Sequence, residues 1–326
     1  TFLRMTFERF SKVVPRENII VVTAEKYHDL VMENIPELDE KNLLLEPYSR
    51  NTAPCVAYAN YTILQRNPEA RVVVTPSDHL IIDEDLFVDT IIKAFEYVVE
   101  KDVLMTLGIP PTRPDCNYGY VQACGGREAI AKGEPVQVKT FTEKPDKTIA
   151  KILIDSGEFL WNSGMFICNL STMLEMLARE LPTFGTCIEK VLGGMTEPEI
   201  KELFYTSYPS MVHQSIDLLL LEKTKNVVVM ACNFGWADIG SWPELHEVEQ
   251  KDSDDNAVIS STKVLFDKAY GNLVCLPDAK AAVIAGLEGY LVAEKDGVLV
   301  VCPNHDAAIV RRLVTEAQMK LGEEFV

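Results

Sequence analysis

The chain has 326 residues, enough for one large domain with a smaller one, and a chain of this length buries roughly 75% of its unfolded surface without help from disulfides. A net charge of −18, with 47% hydrophobic and 25% charged residues, describes an ordinary globular protein and excludes non-specific binding to nucleic acid or anionic membranes. Cysteines at 55, 116, 124, 168, 187, 232, 275 and 302 include no CxxC pair, the five histidines form no ligand pattern, and no signal peptide or membrane-length apolar run is visible. These features predict a reduced, cytoplasmic protein without a zinc site.

Residues 2–12 read as a helix already in stride at Thr1, followed by a short buried strand at 19–23 and a second helix from Glu25 to Asn34. Residues 42–46 form the next strand. Asn51-Thr52-Ala53-Pro54 then opens a helix, with a capping side chain and proline in the first turn. Arg71–Thr75 is a strand, and Phe87, Ile91, Ala94, Phe95 and Val98 mark an amphipathic helix. Such alternation predicts right-handed crossovers and a mostly parallel sheet.

From Val103 the texture changes. Strands are predicted at 103–107, 136–142, 166–168 and 227–229, with a Pro-rich loop at 109–114, a helix at 147–156 and a long helical region through 203. Residues 244–250 look helical, and Lys251-Asp252-Ser253-Asp254-Asp255-Asn256 is the clearest linker. Beyond it, short strands at 264–266, 273–275, 281–284, 290–292 and 298–301 predict an all-β appendage, closed by a helix from about Ala307 to Lys320. The expected division is 1–255 and 256–326.

Two segments, TPSDH and FGWADIGSW, each deliver an aspartate beyond a β-branched run: Asp78 after Val72–Val74, and Asp238 after Val227–Val229. Ligands of open α/β sheets bind outside the carboxyl ends of strands, and two carboxylates there suit a hard divalent cation. Turn or capping aspartates are the structural alternative at both places. Phe141-Thr142-Glu143-Lys144-Pro145 also ends a strand; Lys144 offers a point charge for a phosphate and Glu143 an acceptor for sugar hydroxyls, with a surface ion pair as the alternative.

Trp161-Asn162-Ser163-Gly164-Met165-Phe166 sets an amide among aromatic residues, as in a sugar pocket or in a tight turn over the core. Asn117-Tyr118-Gly119-Tyr120 exposes backbone at Gly119. Glu46-Pro47-Tyr48-Ser49-Arg50-Asn51-Thr52-Ala53-Pro54 joins a strand exit to a helix N-terminus, where free N–H groups and the Arg50 fork could hold a base or ribose. Asp217 reads as a cap of the helix from Leu218 to Lys223. No GxGxxG or GxxxxGK loop and no nucleophile triad appears, so dehydrogenase and P-loop readings fail.

Taken in series, EPYSRNTAP, TPSDH, NYGY, FTEKP, WNSGMF, SID and FGWADIGSW resemble the mannose-1-phosphate guanylyltransferases over essentially the whole chain, through the ending AQMKLGEEF. The resemblance implies a Rossmann-like α/β nucleotidyltransferase domain with a mostly parallel mixed sheet. A small left-handed β-helix-like domain ending in a helix would come after it. The implied reaction transfers GMP from GTP to mannose 1-phosphate, giving GDP-mannose and pyrophosphate. Asp78 and Asp238 would hold Mg²⁺, Lys144 would contact the sugar phosphate, and Glu143 and Asn162 would bind mannose. Glu46, Arg50, Asn51 and Ser77 would lie near the guanosine, with Gly119 beside the nucleotide sugar.

Members of that family begin with a strand, a GGxGxRxWPxS loop and a PKQF segment, whereas TFLRMTFERF matches the stretch immediately downstream of these three elements. The chain from Thr1 is therefore expected to be impaired in turnover. The alternatives are a relative using another nucleotide or hexose phosphate, and a non-catalytic nucleotide-sugar-binding subunit. Exposed strand edges in the β appendage would allow two subunits to pair.

Overall fold

The computed structural model describes residues 1–181, 189–191, 193–211, 213–221, 226–305 and 307–322. Cys187, the end of the helix expected to reach Lys223 and the end of the AQMKLGEEF segment lie outside the described residues. Two compact units emerge, residues 1–236 and 237–326.

The first unit opens with α1 (Phe2–Phe10), capped by the Thr1 hydroxyl and burying Phe7 and Phe10. Next come β1 (Val21–Ala24), α2 (His28–Asn34) and β2 (Leu43–Glu46), with β1 and β2 paired in parallel. In α3 (Thr52–Arg66), Ala53, Val56, Ala57, Tyr61 and Leu64 face the core. Its N-cap Asn51 takes φ +67°, a left-handed value that asparagine tolerates better than most side chains. β3 (Arg71–Val74), β4 (His79–Ile81) and α4 (Glu84–Val98) follow, then β5 (Leu104–Ile109), buried along its whole length.

β6 (Tyr120–Ala123), α5 (Gly126–Lys132), β7 (Val136–Thr142) and α6 (Lys147–Ser156) lead into β8 (Phe159–Asn169). After α7 (Leu170–Glu180), α8 (Glu197–Ser207) and α9 (Ile216–Leu221), the chain returns through β9 (Val227–Ala231).

The main sheet has six strands in the order β3-β8-β5-β9-β7-β6, with β6 also pairing β8. It is mixed, as expected. The expected excess of parallel pairs is not found in this sheet: β5 and β9 run parallel, whereas β8 runs antiparallel to β3, β5 and β6, and β7 to β6 and β9. β6 and β8 are buried along most of their length, and such a strand carries the same apolar run in either direction, so composition could not reveal their polarity.

β8 spans eleven residues where sequence predicted strand only at 166–168. The early part was hidden by Asn162-Ser163-Gly164, which form a bulge: two steps on β5 (Thr106 to Gly108) oppose four on β8 (Phe166 to Asn162). Gly164 takes φ +71° there, with Pro76 Cγ 3.4 Å from where its Cβ would be. A bulge of this kind re-aims neighbouring side chains.

β10 (Trp236–Asp238) spans the division, and α10 (Trp242–Val248) follows in the second unit. Strands β11 (Ala257–Val258), β12 (Lys263–Asp267), β13 (Leu273–Cys275), β14 (Ala281–Ala285), β15 (Tyr290–Lys295) and β16 (Val298–Pro303) precede α11 (Ala307–Leu321). β11, β13 and β15 stack in parallel with Ala257, Leu273 and Leu291 in register, and β12 stacks on β14. The appendage is thus β-helix-like.

Each coil turns at a left-handed residue two positions before that register: Asp255 (φ +62°), Gly271 (φ +63°) and Gly289 (φ +69°). Trp242 and Leu245 of α10 pack with Ala257, Leu273, Leu291 and Cys302. By contact, residues 237–255 group with the second unit.

An asparagine ladder links the coils. Asn256 Oδ1 accepts from Asn272 N–H (3.1 Å) and Nδ2 (2.9 Å), while Asn272 Oδ1 accepts from Tyr290 N–H at 2.9 Å. Asn272 is wholly buried. Replacing it by leucine strands the Tyr290 N–H and the Leu287 carbonyl, which its Nδ2 reaches at 2.9 Å. Asn272→Leu is expected to cost about 3 kcal/mol in urea unfolding followed by circular dichroism. Lys263→Ala, on the exposed side of β12, should stay within about 0.5 kcal/mol.

Candidate active site

Asn162 lies at the centre of the best-defined polar cluster of the first unit. Its backbone N–H donates to Gly119 O at 2.8 Å. Its Oδ1 accepts from Thr106 Oγ1 at 2.7 Å, and its Nδ2 donates to Asp217 Oδ1 at 2.7 Å. The β8 bulge begins here, so the amide leaves the regular ladder and reaches side chains on β5 and α9. Gly119 is fitted closely: a Cβ would stand 2.7 Å from Phe141 Cε2 and 2.9 Å from Glu143 Oε2. Any side chain at 119 would displace Glu143.

Lys144 comes next in a left-handed conformation (φ +42°), exposed, with Nζ 4.0 Å from Glu143 Oε1. The structure thus brings together Gly119, Glu143, Lys144 and Asn162, four expected site residues from three separate motifs. Asp217 was read from sequence as a helix cap; the structure corrects this. Ser215 Oγ accepts from Leu218 N–H at 3.3 Å, and the Asp217 carboxylate turns to Asn162 instead. Burial pushes the Asp217 carboxyl above its ordinary range, opposed by the hydrogen bonds from Asn162 and from its own backbone N–H and by the charge of Lys144. Leu219, Leu220 and Leu221, all buried, were the overlooked signal that this short helix lies inside.

The EPYSRNTAP loop docks on the same helix. Ile216 N–H donates to Thr52 Oγ1 at 2.9 Å, Ala53 N–H to Gln214 O at 3.2 Å, and Arg50 Nη2 to Pro209 O at 2.8 Å. Asn51 Oδ1 accepts the first free helical N–H, that of Thr52, at 2.8 Å. Glu46 is buried, and its carboxyl is pushed up by desolvation while accepting from the Cys55 thiol at 2.9 Å. Of the two readings of this loop, plain capping accounts for Asn51, and carbonyl contact occupies part of Arg50.

Asp78 is exposed immediately before β4, and Ser77 O accepts from Thr6 Oγ1 of α1 at 3.1 Å. The next residue, His79, is buried with its pKa lowered to about 4 by desolvation, so the ring is neutral at physiological pH. Its Nδ1 accepts from Trp236 Nε1–H at 3.1 Å. Ile82 and Asp83 N–H groups donate to Gly235 and Phe234 carbonyls at 3.1 and 3.0 Å. Asp238 is the last residue of β10, two positions beyond Trp236, and half-buried.

A cavity of about 860 Å³ runs between the edges of β1 and β3, with α1 and α3 on its two sides, and takes in Ser77, Thr52 and Asp217. Of the expected site residues only Ser77 lines it, so the cavity adjoins the Asn162 cluster through Asp217 rather than containing it. Among the described residues, no group of three or more His, Cys, Asp or Glu side chains forms a metal cage. The expected donors, two aspartates, are hard oxygen ligands. They fit an ion such as Mg²⁺, which binds through one or two carboxylates and takes its other ligands from phosphates and water.

The chain resembles known proteins over most of its length. The nucleotidyl transferase family model matches residues 2–255. The xanthan biosynthesis protein XanB of Xanthomonas campestris is 33% identical over 97% of this chain. The mannose-1-phosphate guanylyltransferase of Salmonella montevideo is 30% identical over the whole chain, which covers 69% of it. The chain spans 66% of the XanB length, just under two-thirds. The structure described as mannose-1-phosphate geranyltransferase from Thermus thermophilus superposes with a TM-score of 0.81 at 29% identity, over 98% of this chain and 89% of that one. No helix among the described residues is long and apolar enough to cross a membrane. This chain belongs to the nucleotidyl transferase family, and within it is related to the mannose-1-phosphate guanylyltransferases.

Proposed function

We propose that this protein transfers GMP from GTP to mannose 1-phosphate, releasing pyrophosphate. The observation that carries the reading is the meeting of Gly119, Glu143, Lys144 and Asn162 beside Asp217 in a chain of this family. The free cysteines among the described residues accord with a cytoplasmic setting.

The sugar phosphate needs no general base. Its second pKa lies near ~6, so at neutral pH the attacking oxygen is already an anion. The barrier is the repulsion between two anionic substrates and their alignment. Lys144 would supply positive charge to the acceptor phosphate. Glu143 and Asn162 would hold sugar hydroxyls, Asn162 being kept in one orientation by Thr106 and Asp217. Arg50, Asn51, Glu46 and Ser77 would flank the nucleoside. Asp78 and Asp238 would hold Mg²⁺, which when bound neutralises phosphate charge and serves as a template.

Pyrophosphate release should require Mg²⁺, GTP and mannose 1-phosphate together and should vanish with a chelator. Faster turnover with ATP, UTP or glucose 1-phosphate would reassign the substrates, and no turnover with any pair would leave a binding subunit. Asp238→Asn is expected to lower kcat by about 10²–10³ with little change in Tm; near-normal kcat at saturating Mg²⁺ would remove its role. Asn162→Ala should lower kcat/KM for mannose 1-phosphate about tenfold, while KM for GTP stays within about twofold.

A further inference from the structure

The segment carrying Asp238 is anchored in an unusual way. Asp238 ends β10, and Ser241 caps α10, its hydroxyl accepting from Glu244 N–H at 3.4 Å. In an ordinary capping box the third-position carboxylate would take the N–H of the cap residue itself. Here Glu244 Oε2 accepts from Gly240 N–H, one residue earlier, at 2.9 Å. Glu244 is buried, unlike most surface capping glutamates. A Cβ built on Gly240 would stand 3.6 Å from Glu244 Oε2 and 3.7 Å from Asp238 Oδ1. Both carboxylates therefore border the space where a side chain at 240 would begin, and Glu244 holds the backbone of the residue beside which the Asp238 carboxylate lies.

We propose that Glu244 is a positioning residue for Asp238: by fixing Gly240 it sets the direction of the Asp238 carboxylate toward a divalent cation. The acceptor belongs to a buried side chain while Gly240 itself is exposed, so the bond ties a solvent-facing stretch of backbone to the packed start of α10. A helix start placed immediately after a metal-binding carboxylate gives the loop a rigid end, and groups that orient a ligand from behind commonly carry 10–100-fold in metal affinity. The proposal rests on the assignment of Asp238 as a cation ligand.

Mn²⁺ serves as the probe, with free Mn²⁺ followed by electron paramagnetic resonance in the presence of GTP, and amide exchange at Gly240 followed by mass spectrometry. Glu244→Ala is expected to weaken Mn²⁺ binding about tenfold and to speed exchange of the peptide containing Gly240, with Tm close to that of the parent. Glu244→Gln, which keeps an acceptor for the Gly240 N–H, should restore both. Parental Mn²⁺ affinity in Glu244→Ala overturns the proposal, as does equal loss in both variants. Parental affinity in Asp238→Asn instead overturns the cation assignment itself. That failure is distinguishable, because Glu244→Ala would still speed Gly240 exchange.

Discussion

A buried amide cannot be left with idle donors and acceptors, and Asn162 meets that constraint by binding three different elements at once. Its main chain is tied to Gly119, its carbonyl to Thr106 and its amino group to Asp217. The β8 bulge, the NYGY loop and the start of α9 are thereby held in one arrangement. Since each buried hydrogen bond left unmade costs about 1–3 kcal/mol, none of the three can shift alone. Thr52 and Ala53 extend the arrangement to the EPYSRNTAP loop through Ile216 and Gln214. Four of the motifs that are separate in sequence are connected by these contacts.

The strand and helix periods of the first hundred residues are legible because the elements there carry distinct apolar patterns, and two of the helices open on a capping side chain, Asn51 at α3 and Asp83 at α4. The helix at 147–156 was legible for the same reason, with Asp146 capping it. β8 was largely illegible, because Asn162, Ser163 and Gly164 interrupt the pattern that defines a strand. Polar residues in a buried strand look like a loop until their partners are known. Asp217 was misjudged by the same blindness: a carboxylate at a helix start reads as a cap unless the distant amide that it binds is in view. In the appendage, the strands were visible but the packing of Trp242 and Leu245 onto them was not.

The charge balance gives the cluster its chemical character. In a chain of net charge −18, the proposed anionic substrates would be repelled at long range, so cations would have to act at short range. Lys144, exposed beside the Glu143 carboxylate, is well placed for that, and a divalent ion between two aspartates would complete the neutralisation. His79 stays neutral through burial while bonded to Trp236. It therefore stiffens the base of the Asp78 segment without adding charge next to it.

A crystal of the protein grown with Mn²⁺ and GDP-mannose decides, through its anomalous difference map, whether Asp78 and Asp238 share one ion. Sharing gives a single strong peak coordinated directly by both carboxylates and by the nucleotide phosphates. A peak held by other residues, or by only one of the two aspartates, would contradict it.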